Sequence, residues 1–174
     1  MIDLKSLLEH KYSCLLLNIT EEQLCNKIFD YVLNIPEELI IDFEDEFEPH
    51  LTLFYGIHFS NSAVVKPYIK FLEKNKQNLE ITLGKVNKFS NEKYDVIYIE
   101  VLKKKIFEKI HNHIKLNLEN TTQFDFNPHI TLAYVYHNSC DKLLGDETFL
   151  NIRTKINTIK FSSNEKNKTK KFYI

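Results

Sequence analysis

Pro49-His50-Leu51-Thr52-Leu53 and Pro128-His129-Ile130-Thr131-Leu132 are one phrase written twice, nearly half the chain apart. Each copy continues to a tyrosine five residues after its histidine, giving His50-x-Thr52-x-x-Tyr55 and His129-x-Thr131-x-x-Tyr134. Polar and apolar residues alternate with the period of a strand, so His50 and Thr52 share one face while Leu51 and Leu53 share the other. In the second copy His129 and Thr131 stand opposite Ile130 and Leu132. Each copy thus presents an imidazole and a hydroxyl on a polar face backed by core. By the same parity Tyr55 and Tyr134 fall on the core face and read as packing.

Working outward, residues 3–10 can form a short helix, and Tyr12 to Ile19 reads as a buried strand. Thr20-Glu21-Glu22-Gln23 is a capping-box pattern, followed by Leu24, Ile28, Tyr31 and Val32 at helical spacing, which predicts a helix over 21–33 with Pro36 beyond its end. Residues 37–48 carry seven acidic side chains and read as a solvated loop or short helix. Ser62 to Lys74 is a helix with Pro67 near its first turn. Leu79–Val86 and Tyr94–Leu102 form a hairpin around a polar loop. Lys103–Leu118 is a helix striped by Ile106, Phe107, Ile110, Ile114 and Leu118, with His111 and His113 beside the stripe and solvated. Strands over 155–162 and 169–174 flank the turn Ser163-Asn164-Glu165.

This order, β-α-β-α-β-β-α-β and then strands, with short connections, gives an α+β class, and the repeat gives two similar lobes. No linker rich in Gly, Pro or Ser separates the halves, so residues 1–174 read as one domain. A content of 43% hydrophobic and 13% aromatic residues suffices for a sizeable core.

The net charge of −1 does not advertise the strong basic patch of a protein that binds long nucleic acid, and is compatible with a small ligand of few phosphates. Of 23 basic residues only Arg153 is arginine, so phosphate must be held by Lys, His, Thr and backbone N–H groups rather than by bidentate guanidinium clamps. Cys14, Cys25 and Cys140 are isolated, which argues against a zinc knuckle or a disulfide scaffold and fits a reducing cytoplasm. The charged N-terminus is no signal peptide, and no apolar run approaches the length of a bilayer span.

Cleaving a phosphodiester needs a base for the attacking oxygen and an acid for the leaving oxygen. Two imidazoles can serve as both, because one can be neutral while its partner is protonated near neutral pH. Thr52 and Thr131 can donate to non-bridging phosphate oxygens. His50, Thr52, His129 and Thr131 facing one another supply all four groups without a metal or cofactor. A metal centre is disfavoured, since two nitrogens come without a motif-linked carboxylate or thiolate. His10, His58 and His137 lie at element ends or in loops, with no partner identifiable by spacing.

At these residues the chain resembles the 2H phosphoesterases, a superfamily defined by two His-x-Thr motifs. The resemblance runs from about Tyr12 to Ile174. It implies a bilobal α+β fold, with two pseudo-symmetric antiparallel-sheet lobes, flanking helices and a central cleft, and metal-independent phosphodiester chemistry between the lobes. The flanks Pro49 to Gly56, Leu83-Gly-Lys-Val86 with Phe89, Lys93-Tyr-Asp-Val96 and Pro128 to Val135 are similar to the phage-type, anti-CBASS branch, which degrades cyclic oligonucleotide immune signals. The RNA 2′,3′-cyclic phosphodiesterase branch usually reads Phe-Leu-Gly where this chain has Phe54-Tyr55-Gly56. The implied substrate is therefore a cyclic di- or trinucleotide in a host cytoplasm, with a 2′,5′-oligoadenylate or RNA 2′,3′-cyclic end as the alternative and a non-catalytic cyclic-nucleotide sponge as a third reading. Tyr12 and Glu165 occupy places where that branch contacts substrate. As plain residues they read equally as a strand-edge packing side chain and a surface charge. Phe89, a lone aromatic in a polar loop, can stack on a base or cap the core.

Overall fold

The computed structural model describes residues 11–42, 48–102, 105–123 and 125–174. The helix expected over 3–10 lies outside them, as does much of the acidic stretch before the first motif. In chain order the strands are β1 (Ser13–Asn18), β2 (Ile40–Asp42), β3 (His50–Ile57), β4 (Glu80–Ser90), β5 (Tyr94–Val101), β6 (His129–Tyr136), β7 (Arg153–Lys155), β8 (Thr158–Ser162) and β9 (Lys170–Tyr173). The helices are α1 (Glu22–Leu33), α2 (Lys66–Lys74) and α3 (Lys105–Asn117). Among the described residues no helix is long and apolar enough to cross a membrane.

The strands form a sheet in the order β7-β4-β5-β6-β3-β1-β8-β9, antiparallel at each step, with β2 paired to β6. This is the antiparallel α+β architecture expected from the sequence. The two motif strands β3 and β6 are neighbours at its centre, and they pair at one step, Leu51 with Ile130. Beyond that step each finds another partner. Ile40 and Asp42 of β2 pair with Val135 and Tyr134 of β6, while Ile57 of β3 bridges Asn120. Hydrogen bonds His58 N to Glu119 O and Thr121 N to Gly56 O complete the second arrangement. The segment ahead of each motif therefore covers the edge of the other motif's strand.

The core lies on the face opposite the histidines. Leu51, Leu53, Ile130 and Leu132 are buried there with Leu15, Leu17, Ile97 and Ile99, each worth about 1.5–3 kcal/mol on removal from water. That burial fixes which way the motif strands face. Helix α1 buries Leu24, Ile28 and Val32 at four-residue spacing and packs against β6, while α3 packs against β3.

Several local expectations change. The capping box does not form: Glu21 is the N-cap without a side-chain bond, and Thr20 Oγ1 donates instead to Asn157 Oδ1 at 2.6 Å. The helix expected from Ser62 begins as a 3-10 turn at Ser62–Val65, capped by Asn61, and becomes α-helical at Lys66, with Pro67 in the first turn where its missing N–H costs nothing. The tail strand over 155–162 is two strands. β7 pairs with β4 and β8 pairs with β1, so the connection between them carries the chain from one end of the sheet towards the other.

His111 is not solvated. It is 5% exposed on the buried face of α3 with Phe107, Ile110 and Ile114, and its Nδ1 lies 3.0 Å from Leu53 O. His137 also has a partner, the fully buried Asp95, whose carboxylate further accepts from Lys88 Nζ at 2.9 Å and Asn138 N at 2.8 Å. These donors hold the Asp95 carboxyl down at about 2 against the pull of burial.

Candidate functional site

The single step between β3 and β6 arranges the four motif side chains. Counting outward from the Leu51–Ile130 pair, the antiparallel register sets Thr52 level with His129 and Thr131 level with His50. All four are partly exposed, on the face away from the core. The histidines are close enough for the charge of His50 to act on His129.

Both rings are anchored alike. Nδ1 of His50 donates to the Glu48 carbonyl at 2.7 Å, and Nδ1 of His129 donates to the Asn127 carbonyl at 2.8 Å. A carbonyl oxygen only accepts, so the hydrogen on Nδ1 is fixed in both rings and Nε2 is the atom that gains or loses a proton. Each motif thus holds an Nε2 that can work as base when neutral and as acid when protonated.

Their surroundings differ. His129 meets Phe89 edge-on at 4.8 Å and Tyr98 at 5.2 Å, and those two rings stack on each other at 4.1 Å. Burial lowers the His129 pKa below its ordinary 6.5, as does the nearby His50, while the bond to Asn127 works the other way. His50 instead follows an ionic cluster. The Glu48 carboxylate accepts from Lys171 Nζ at 2.5 Å, Lys160 Nζ at 3.0 Å and Asn18 Nδ2 at 3.1 Å. The two lysines outweigh burial and bring the Glu48 carboxyl down to about 2. In the sequence Glu48 was one acid among seven in a run assigned to solvent; the proximity of Pro49 and His50 was the available signal.

Tyr55 and Tyr134 depart from expectation. Register shifts make Leu53 an extra residue of β3 opposite β1 and Leu132 an extra residue of β6 opposite β5. Two consecutive residues on each strand, Leu53-Phe54 and Leu132-Ala133, are consequently both buried. Such β-bulges reverse the parity beyond them. Tyr55 is 48% exposed and Tyr134 half-buried, both on the histidine face rather than in the core.

Phe89 lies within β4, which runs to Ser90, and not in a loop. Its ring stacks on Tyr98 and meets His129 edge-on. Tyr12 stacks on His58 at 5.1 Å and meets Tyr55 edge-on at 6.2 Å. Glu165 is exposed and paired with Lys168 at 2.7 Å, which with a bond from Ser60 lowers its carboxyl pKa. Asn164 beside it takes hydrogen bonds with Ser13 and with the Lys11 carbonyl, so the segments bearing Tyr12 and Glu165 adjoin. Among the described residues no group of three or more His, Cys, Asp or Glu converges as a metal site would require.

Solved structures share this architecture. The structure of Kluyveromyces marxianus Usb1 superposes with a TM-score of 0.56 at 8% identity, covering 95% of this chain and 99% of that one. The same protein with uridine monophosphate gives 0.55 at 9% identity, covering 96% and 100%. A structure described as a phosphoesterase gives 0.50 at 13% identity, covering 94% and 95%. No curated protein matches the sequence. A sequence model of the 2′-5′ RNA ligase superfamily matches residues 41–166, the span that holds both motifs, and the chain belongs to that superfamily, the 2H phosphoesterases.

Proposed function

We propose that this phosphoesterase opens cyclic di- and trinucleotide immune signals, in the cytoplasm of a host cell, by a metal-independent transesterification. The ribose 2′-OH attacks its adjacent 3′ phosphate while neutral His129 Nε2 takes the hydroxyl proton. Protonated His50 Nε2 gives its proton to the departing 5′ oxygen. Thr52 and Thr131 hydroxyls donate to the non-bridging oxygens as charge builds there. One P–O bond forms and one breaks, leaving a 2′,3′-cyclic phosphate and a free 5′ hydroxyl. Tyr12, Glu165 and Phe89 are the substrate-contacting residues of this reading.

The observation that carries it is the matched anchoring of both Nδ1 atoms on backbone carbonyls, which leaves two Nε2 atoms on one face beside two threonines. The desolvating rings around His129 favour it as the neutral partner. Aromatic surface on both sides, Tyr12 with Tyr55 and Phe89 with Tyr98, suits a substrate with a base on each side of the phosphate. The phage-like flanks of the motifs point to the cyclic class.

Incubation with labelled 3′,3′-cyclic dinucleotides and trinucleotides in EDTA, read by product mass, tests the reading. A ring-opened product ending in a cyclic phosphate is expected; an untouched panel would refute the substrate. The uridine monophosphate bound to the similarly folded Usb1 favours a second reading, an RNA-like end or 2′,5′-oligoadenylate as substrate. Hydrolysis of a 2′,3′-cyclic end yields a monoester and separates the two. A sequestering sponge would need neither acid nor base, so protection of cells by a His50→Ala, His129→Ala double variant as good as wild type would favour it.

A further inference from the structure

Glu100 is the cross-strand partner of His129, which puts it on the histidine face of β5 in line with Tyr98. A carboxylate on the face where a phosphodiester must lie repels the substrate unless it is neutralised or used. Among the described residues no cation pairs with it. Lys85, which feels the Glu100 charge, makes its ion pair with Glu147 at 2.6 Å.

The chain nevertheless builds a place for this carboxylate. At the β4–β5 register shift two residues, Gly84 and Lys85, oppose Glu100. A side chain on Gly84 would put its Cβ 2.9 Å from Glu100 Cβ and 3.1 Å from Oε2, so glycine is what leaves room for the acid. Asn87 then sets its orientation. Asn87 Oδ1 accepts from Lys88 N at 2.8 Å, which turns Nδ2 to donate to Glu100 Oε1 at 3.0 Å. The same Asn87 pairs across the strands with Tyr98, the ring on which Phe89 stacks.

We infer that Glu100 is a specificity-determining residue that reads guanine on the His129 side of the scissile phosphate. Guanine alone among the common bases presents two adjacent donors, N1–H and N2–H, and a carboxylate accepts such a pair side by side. The Phe89–Tyr98 stack offers the aromatic surface beside which that base lies. Adenine and cytosine offer a donor next to an acceptor, and the acceptor would face the carboxylate. This rests on the phosphodiesterase reading above, for which it names the base.

The test is calorimetric binding of guanosine, inosine and adenosine 3′-monophosphates to the full chain. Inosine lacks only the N2 amino group. Wild type is expected to bind guanosine about tenfold more tightly than inosine, and E100Q to bring the two within twofold. The melting temperature of E100Q checks that the variant is folded. Equal binding of guanosine and inosine by wild type, or a preference that survives in E100Q, would overturn the inference. Because the ratio is read from binding, it is independent of cleavage: guanosine selectivity without turnover refutes the reaction proposed above and leaves this assignment standing.

Discussion

Leu51 and Ile130 face each other at the one step where the motif strands pair, and the antiparallel register about that pair sets each motif histidine level with the threonine of the other motif. The proposed reaction therefore pairs His129 with Thr52 and His50 with Thr131 across the strands.

Either His→Ala change should lower kcat by about a thousandfold, since one proton transfer is lost. Thr52→Val and Thr131→Val should each cost about tenfold to a hundredfold. A double-mutant cycle in EDTA checks the pairing: Thr52→Val with His129→Ala should be far from additive. Additivity there would place the threonine away from that ring.

His129 must be neutral to act as base, so the rate should rise with pH through its pKa, and the acid limb should fall below the ordinary histidine value of 6.5. Phe89→Ser removes apolar cover from that ring and should move the limb up towards 6.5. A pH–rate profile whose acid limb does not shift in this variant would reject the assignment of His129 as base.

Glu48 joins the His50 ring to two lysines. Its carboxyl stands at about 2 when folded against 4.5 ordinarily, so its stabilising contribution is present above about pH 4.5 and is lost as pH falls towards 2. The side chain is 37% exposed, which limits that contribution to about 1 kcal/mol. Glu48→Gln should bring the thermal midpoints of variant and wild type together as pH falls through that window. It should also lower kcat about tenfold by loosening the carbonyl that orients His50.

Asp95→Asn should cost about 3 kcal/mol in urea unfolding, because Lys88 and the Asn138 N–H lose a fully buried carboxylate. Asp95 lies towards the far end of β5 from Glu100 and the His129 pairing, so kcat should hold. A loss below 1 kcal/mol would mean that Asp141, at 2.6 Å from Lys88, carries the network alone.

The reach of the sequence was set by what a strand's period can encode. It placed His50, Thr52, His129 and Thr131 on one face, but counting by twos beyond Leu53 and Leu132 sent both tyrosines inward. Neither bulge contains the glycine that often marks one; the legible trace was the doubled apolar pairs Leu53-Phe54 and Leu132-Ala133. For His111 the trace was present as well, since residues 107, 110, 111 and 114 are one helical face. The Asp95–His137 contact left none, because two distant residues met only through the β5–β6 pairing.

The exchange of edges at the centre of the sheet interlocks the two halves of the chain. Residues 40–42 guard the second motif strand and residues 119–121 guard the first, and helices α1 and α3 are traded in the same sense. A half-length chain carrying one motif would leave its own strand edge bare and its own helix without a sheet. Neither half can therefore close its own sheet edge without the other, so the two should unfold together rather than one after the other.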